Sequence, residues 1–264
     1  PIFDRLKVRA SFGLTGNDDL DPYASLAYFM SDRYIDRANG IVIGNIGNDA
    51  LQWETTSKLN VGVDANMLND MLSLRFDVFS SHTSNLLTLK ELPEITGNGF
   101  YYSNSGEMSN TGFELSLNAQ ILNSKLVKWE ASATVGHYSN KIVSLPNGDF
   151  TTRIYDGEIL TSAGNAAGVF YGYKTNGVLA TEADAIAANL SIENPNGTTT
   201  AFKAGDMLFE DLNGDHIIDQ NDKQIIGDPN PDIYGSLTTM LNVGDFSLNA
   251  FFTYSYGNDI YNFF

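Results

Sequence analysis

A strict alternation of apolar and polar residues runs from Lys58 to Met67 and resumes between residues 72 and 78. An alternation with period two is typical of a β-strand that has one apolar and one polar face. The break between the two segments, residues 68–70, contains an asparagine and an aspartate, which tolerate the backbone of a tight turn. These features predict a long β-hairpin joined by a short turn.

The polar face of this hairpin is unusual because it carries charges in the middle of its strands. Lys58, Asp64 and Arg75 all fall on that face. Long strands with a continuous apolar face and a charged polar face are typical of outer-membrane barrels, in which the apolar face contacts lipid and the polar face contacts water. The same alternation also fits a soluble sandwich, in which the apolar face would pack against a second sheet.

The hairpin rhythm recurs along the chain. Residues 6–12 alternate as a first strand, and two more hairpins are predicted around short turns at residues 123–125 and 244–245. The turns alternate between short and long, which gives seven predicted membrane-crossing strands. Barrels of this kind have short periplasmic turns and long external loops, so residues 145–231 are predicted to form one large extracellular excursion.

One short helix is predicted inside that excursion. Thr181 is followed three residues later by Asp184, and an alanine-rich segment comes next. This spacing resembles a capping box, in which an aspartate replaces the usual glutamate or glutamine.

Composition excludes several classes of function. The formal net charge of −17 disfavours nucleic acid as a partner, and the absence of cysteine rules out thiolate chemistry and cysteine metal ligands. No apolar run reaches the length of a membrane-spanning helix. The three histidines lack metal-ligand spacing, and no serine lies in a nucleophile elbow, so the chain is predicted not to be an enzyme.

The sharpest local motif lies between residues 211 and 222. Oxygen-bearing residues recur there at the spacing of a calcium-binding loop, which wraps hard oxygen ligands around Ca²⁺. The candidate ligands are Asp211, Asn213, Asp215, Ile217 (through its carbonyl), Asp219 and Asp222. His216 stands where such loops favour glycine, and the last ligand is shorter than the usual glutamate. The motif predicts a structural Ca²⁺ site, and the alternative is a polar turn without an ion.

Four tyrosines are candidate substrate contacts. Tyr101 and Tyr102 fall in one predicted loop, and Tyr171 and Tyr173 fall in the excursion. Aromatic rings stack on sugars and on other flat ligands. The same rings also suit an interfacial aromatic girdle or simple loop packing.

Several segments together resemble one family, the SusC/RagA-type TonB-dependent outer-membrane transporters. The resemblance covers nearly the whole chain. The segments that carry it are Leu6–Asn17, Trp53–Asp64, Asn110–Leu115, Phe170–Gly177, Gly205–Asp206, the acidic loop of residues 211–222, and Gly227–Asp232.

The resemblance implies an all-β fold, an antiparallel transmembrane β-barrel segment with long extracellular loops and one short helix. Residues 1–264 would be the C-terminal part of a 22-stranded barrel that an N-terminal plug closes. The implied location is the cell outer membrane, in contact with lipid. The implied function is nutrient uptake of an oligosaccharide or a peptide, with a SusD-like surface lipoprotein and TonB as partners.

The chain departs from the family pattern because it contains neither a plug nor a TonB-box region. Seven strands alone cannot close a barrel, since the open edges would leave backbone groups unsatisfied in lipid. The chain is therefore expected to be a part of a longer transporter. The alternative prediction is a soluble, Ca²⁺-stabilised, carbohydrate-binding β-sandwich.

Overall fold

The computed structural model describes residues 2–34, 38–93, 95, 99–146 and 148–262. The chain folds as two compact units. The first, here called the sheet unit, comprises Pro1–Gly148, Ser162–Asn165 and Pro231–Gly257. The second, here called the insert unit, comprises Asp149–Thr161, Ala166–Asn230 and Asn258–Phe264.

Strands dominate both units. In chain order they are β1 (Phe3–Asn17), β2 (Tyr28–Tyr34), β3 (Ala38–Asn45), β4 (Glu54–Met67), β5 (Leu72–Ser84), β6 (Leu87–Glu91), β7 (Phe100–Asn104), β8 (Glu107–Asn123), β9 (Val127–Ser144), β10 (Phe150–Ile154), β11 (Gly157–Thr161), β12 (Val169–Tyr173), β13 (Thr175–Val178), β14 (Ser191–Glu193), β15 (Thr199–Ala201), β16 (Met207–Phe209), β17 (Ile217–Ile218), β18 (Lys223–Gly227), β19 (Ile233–Val243) and β20 (Phe246–Tyr256). The described part of the chain has no helix that is long and apolar enough to cross a membrane.

The sheet unit is built on one antiparallel sheet of seven strands, in the order β1-β4-β5-β8-β9-β19-β20. The hairpin that the alternation predicted is β4 and β5, in which Asp64 lies opposite Arg75. Its turn is tight: Leu68, Asn69 and Asp70 all have left-handed backbones, with φ of 59°, 57° and 61°. The seven strands of this sheet confirm the predicted number of long strands.

The alternation of short and long connections is also confirmed in the sheet order. Three adjacent pairs, β4–β5, β8–β9 and β19–β20, are joined by short turns. Because neighbouring strands run antiparallel, these three turns lie at one end of the strands. The long connections leave from the opposite end. The longest connection begins after Ser144 and ends before Ile233.

The two faces of the seven-stranded sheet differ as the alternation predicted. On the apolar face large side chains remain exposed, with Phe12 at 70 %, Leu59 at 49 % and Phe252 at 60 % exposure. In a soluble sandwich this face would be the buried core. The fold is an antiparallel β-barrel segment, and the sandwich alternative is wrong.

The segments predicted as polar loops hold additional strands. β2 and β3 form one hairpin between β1 and β4, and β6 and β7 form another between β5 and β8. The sequence predicts short strand pieces such as Ile41–Ile43 in the first of these segments, and that piece lies within β3. The alternation of β2, β6 and β7 is weak, so their sequences indicate loop. Residues 35–37, 94 and 96–98 of these connections lie outside the described residues.

The insert unit contains a four-stranded sheet, β10-β11-β12-β18, and two smaller sheets. The predicted helix is present as α1 (Glu182–Ala188), the only α-helix among the described residues. Thr181 caps it: its hydroxyl accepts from the N–H of Asp184, and the Asp184 carboxylate accepts from the N–H of Thr181. The capping box that the sequence predicted is thus formed.

Candidate functional site

The acidic loop of residues 211–222 is folded back on itself by hydrogen bonds from its own backbone N–H groups. The Asp211 carboxylate accepts from Gly214 N–H at 2.7 Å and from His216 N–H at 2.8 Å. Burial raises the pKa of Asp211, but the backbone donors and the electrostatic interaction with His216 together lower it by more, so its net pKa lies below the ordinary 3.8. The first candidate ligand is therefore a carboxylate kept in its charged form.

His216 and Asp222 are the two positions at which the motif departs from the common calcium loop. His216 has a left-handed backbone, with φ of 66°, which is the conformation that glycine normally supplies there. Asp222 is completely buried, and its carboxylate accepts from the N–H groups of Leu212 and Asp219, both at 2.9 Å. Within the described residues this buried carboxylate has no ion-pair partner.

The loop is anchored through β17, where Ile217 and Ile218 pair in parallel with β14. Ile218 is 2 % exposed and fixes the loop on the core of the insert unit. The other carboxylates serve local contacts: Asp215 accepts from Ile217 N–H and from the Asn213 amide, and Asp219 accepts from Asn221. In the parts of the chain that the structure describes, no three His, Asp or Glu side chains are placed to hold a metal ion together.

Tyr171 and Tyr173 lie two residues apart on β12 and have different surroundings. Tyr171 lines an apolar cavity of about 130 Å³ with Ile154, Ile226 and Tyr261. Tyr173 packs edge-on against Phe209 at 5.9 Å, and burial raises its pKa. Tyr173 therefore contributes to the packing of the insert unit, whereas Tyr171 lines the apolar cavity.

Beside Tyr173 lies a half-buried ion pair. Lys223 Nζ contacts both Glu158 carboxylate oxygens at 2.8 Å and lies 5.6 Å from the centre of the Tyr173 ring. The Lys223 side chain is only 10 % exposed. Because Lys223 directly follows Asp222, the ion pair and the acidic loop share one short stretch of backbone.

Tyr101 and Tyr102 lie in the sheet unit, on β7, and their side chains point to opposite faces because they are consecutive strand residues. The Asn48 amide donates to the Tyr102 carbonyl at 3.0 Å, and Asn104 bonds to both the N–H and the carbonyl of Gln52. The β6–β7 hairpin is thus fastened to the preceding connection. The two tyrosine pairs belong to different units.

A network of charges crosses the polar face of the seven-stranded sheet. Arg9 donates two hydrogen bonds to Asp64, at 2.9 and 3.1 Å, and one to Asp77, at 2.8 Å. Arg75 donates to Asp64 from the other side at 3.1 Å. The network joins β1, β4 and β5 on the face that barrels of this type turn to a wet interior.

Glycines on the same face make room for these side chains. A Cβ at Gly62 would clash with the Asp77 carboxylate and would lie 2.7 Å from Arg9 Nη2. The Phe79 ring lies over Gly112 and the Tyr234 ring over Gly136 in the same way, with ring atoms 2.7 and 2.6 Å from the position of a Cβ. Long side chains can therefore lie flat across neighbouring strands.

The sequence pattern identified the charged polar face but not this network. Asp64 and Arg75 are paired by the hairpin register, which the alternation and the short turn predict. Arg9 reaches Asp64 and Asp77 only through the pairing of β1 with β4, across a connection of more than thirty residues. A local pattern carries no signal for that register.

The family described as "TonB dependent receptor-like, beta-barrel" matches residues 2–259. The chain belongs to this family, a family of outer-membrane receptors and transporters. The resemblance proposed from the sequence segments is thereby confirmed at the level of the family.

Curated relatives agree with that assignment. TonB-dependent receptor P3 of Formosa agariphila is 35 % identical over 97 % of this chain, and TonB-dependent receptor SusC of Bacteroides thetaiotaomicron is 27 % identical over 98 %. The chain spans 26 % of the length of each of these relatives.

Solved structures show the same fold. The chain matches the structure of the RagAB peptide importer in the "closed-closed" state with a TM-score of 0.76 and 23 % identity, over 98 % of this chain and 27 % of that one. It matches the "open-open" state with a TM-score of 0.71, also at 23 % identity, over 97 % of this chain and 26 % of that one.

Proposed function

We propose that this chain is part of the barrel of an outer-membrane transporter that takes up a nutrient, either an oligosaccharide or a peptide. The observation that carries the proposal is the seven-stranded antiparallel sheet with an exposed apolar face and a charged polar face. Such a sheet suits lipid on one side and a wet channel on the other. Membership of the TonB-dependent receptor family supports the same function.

Deletion of the whole gene tests the proposal. The deletion strain is grown on single oligosaccharides and on peptides as the only carbon source, with a complemented strain as the control. We expect growth to fail on at least one nutrient of one class and to return on complementation. Unchanged growth and uptake across both classes would contradict the proposal.

The partners follow from the same proposal. A transporter of this family would be energised through TonB by a region outside this chain and would work with a SusD-like surface lipoprotein. Affinity purification of the intact protein from detergent-solubilised membranes tests this. The expected result is a stoichiometric lipoprotein partner, and an intact protein that purifies alone from native membranes would contradict it.

The insert unit is proposed to lie on the outer surface of the cell. It belongs to a long connection, and the long connections leave from the ends of the strands opposite the three short turns. In barrels of this kind the short turns face the periplasm and the long loops face outward. An epitope tag placed at the exposed turn around Gly197 tests this side assignment. We expect antibodies to bind that tag on intact cells but to miss the same tag at Ser124 in the β8–β9 turn. The reverse pattern would overturn the assignment.

We further propose that the loop of residues 211–222 binds a structural Ca²⁺ ion. Three features support it: the oxygen spacing, the left-handed backbone of His216, and the buried carboxylate of Asp222, whose hydrogen bonds come from backbone N–H groups and which has no cationic partner among the described residues. Asp211, Asn213, Asp215, Asp219 and Asp222 would supply side-chain oxygens, and Ile217 would supply its carbonyl. The ion would neutralise the buried carboxylate and fix the loop.

Hydrogen exchange of the intact protein, with Ca²⁺ or with chelator, tests the calcium proposal. Ca²⁺ should slow exchange across residues 211–222 in the native protein. Asp215→Asn should abolish the effect, since asparagine keeps the oxygen that accepts from Ile217 N–H but loses the charge. Glu193→Gln, an exposed control in the same unit, should respond like the native protein. Exchange that does not depend on Ca²⁺ in the native protein would overturn the proposal.

A further inference from the structure

The apolar cavity of about 130 Å³ in the insert unit has one wall that does not come from the sheet around it. All four strands of the sheet β10-β11-β12-β18 contribute to its lining, through Ile154, Ile159, Phe170, Tyr171 and Ile226. The additional wall is Tyr261. This tyrosine lies in residues 258–261, the segment that follows β20 and is here called the strap.

The first attachment of the strap is to the end of β18. Asp259 N–H donates to the Asp228 carbonyl at 2.7 Å, and the Asp259 carboxylate accepts from Asp228 N–H at 2.8 Å. Gly227 leaves room for this contact, because a Cβ there would lie 3.0 Å from an Asp259 carboxylate oxygen. Two reciprocal hydrogen bonds therefore fix the strap at this point.

The second attachment is the side chain of Tyr261. Its hydroxyl donates to the Tyr155 carbonyl at 2.8 Å, in the turn between β10 and β11. Its ring lies on Gly157, where a Cβ would be 2.9 Å from a ring carbon, and its centre is 6.1 Å from that of the Phe170 ring. The ring therefore closes one side of the cavity.

The two attachments differ in how firmly they hold the strap. The Asp259 attachment is made by backbone and side chain together, whereas Tyr261 is held by one hydrogen bond and by ring contacts and is 42 % exposed. Ile260, between them, is 83 % exposed and adds little apolar burial. A surface segment with few hydrogen bonds and little buried apolar area opens at a low cost in free energy. The Tyr261 end is therefore the end that can lift.

We propose that the strap is a lid on the apolar cavity beside Tyr171. The cavity is closed while the Tyr261 ring lies on Gly157, and it opens when the ring lifts while Asp259 stays paired with Asp228. The closed state dominates because opening exposes the apolar lining of the cavity to water. The inference goes beyond the proposed transport function and does not depend on which nutrient is carried.

Thiol labelling of the intact detergent-purified protein tests the proposal, since this chain has no cysteine of its own. Ile159→Cys places a thiol in the lining of the cavity. Ile186→Cys, on a residue of α1 that is 72 % exposed, reports general access to the insert unit. Mass spectrometry of the peptide that contains each thiol gives its rate of reaction with iodoacetamide. With the native strap, Ile159→Cys should react much more slowly than Ile186→Cys.

Variants of the strap are then combined with each reporter. Tyr261→Phe removes only the hydroxyl, and we expect it to raise the rate at Ile159→Cys about two- to tenfold, the effect of one lost hydrogen bond on the population of the open state. Tyr261→Ala also removes the ring and should raise that rate further. Ile260→Ala, a truncation of the neighbouring exposed side chain, is the matched control and should leave the rate unchanged.

Three results would overturn the inference. The first is an Ile159→Cys thiol that reacts as fast as Ile186→Cys with the native strap, because the cavity would then have no lid. The second is a native rate at Ile159→Cys in Tyr261→Phe, even if Tyr261→Ala raises that rate, because the ring would then be a fixed wall. The third is an equal increase in Ile260→Ala. An unchanged rate at Ile186→Cys and heat-modifiable migration on a gel confirm that each variant is folded.

Discussion

Arg9 illustrates how single residues hold the sheet together. Its guanidinium makes three hydrogen bonds to two aspartates on two neighbouring strands, and Asp77 is only 12 % exposed. Removal of the arginine would leave two carboxylates close together without their main counter-charge. A half-buried pair that loses one partner is more damaging than an exposed one, because the remaining charge is poorly solvated.

We therefore predict that Arg9→Gln lowers the melting temperature of the intact protein in detergent, whereas Lys7→Gln does not. Lys7 lies two residues away on the same face of β1 and has no ion-pair or hydrogen-bond partner among the described residues. Arg9→Lys should recover part of the loss, since it restores the charge but not the fork. Equal melting temperatures for the two glutamine variants would contradict the prediction.

Gly62 makes the Arg9 network possible. We predict that Gly62→Val destabilises the intact protein by about 1–3 kcal/mol, because the added carbons occupy the space of the Asp77 carboxylate and of Arg9 Nη2. Gly13→Val is the matched control, since no atom lies within 4 Å of a Cβ there. Urea titration in detergent measures the free energy of unfolding of both variants. A Gly62→Val variant as stable as the Gly13→Val variant would contradict the prediction.

At the scale of the element, the fold of the acidic loop depends on the hydrogen bonds that the Asp211 carboxylate accepts from Gly214 and His216. Its lowered pKa means that its contribution to the folded loop is fully present above the ordinary pKa of 3.8 and is lost as the pH falls through the lowered value. In chelator, where no ion contributes, the loop should open in that acidic window.

Limited proteolysis of the intact protein with an acid protease measures this opening. We predict that cleavage within residues 205–225 rises below about pH 3.8 in the native protein. Asp211→Asn should be cleaved at every pH tested, because its amide nitrogen cannot accept from a backbone N–H. Glu193→Gln should follow the native profile. A native-like pH profile for Asp211→Asn would contradict the role assigned to this carboxylate.

At the scale of the whole molecule, the exposed apolar face and the two outer strands decide the behaviour of the protein. β1 and β20 each have one neighbour in the seven-stranded sheet. An unpaired strand edge exposes a row of backbone donors and acceptors that lipid cannot satisfy. The sheet therefore needs further strands beside it in a membrane.

We predict that the intact protein is monodisperse in detergent and aggregates when the detergent is removed. We also predict that residues 1–264 expressed alone do not form a stable barrel, because seven strands leave both edges open. Size-exclusion chromatography with light scattering checks both. A monodisperse, detergent-free monomer of the intact protein would contradict the membrane assignment.

Some of this architecture is local, and the sequence alone determined it. The period-two alternation predicted the long strands and their two faces, short polar breaks predicted the turns at residues 68–70 and 244–245, and Thr181 with Asp184 predicted the start of α1. Each of these features depends on residues close together in the chain. The family segments, read in order, added the barrel and the chain's place in a longer protein.

The tertiary structure decided what depends on distant residues. The alignment of Arg9 with Asp64 and Asp77 and the burial of Asp222 both arise from strand register or from packing across long connections. β2, β6 and β7 were not predicted, because short strands of mixed polarity carry almost no periodic signal, and of β3 only the piece Ile41–Ile43 was. The alternation from Lys58 to Val78 thus defined two faces, and only the pairing of the strands determined which charges on the polar face lie close enough to neutralise each other.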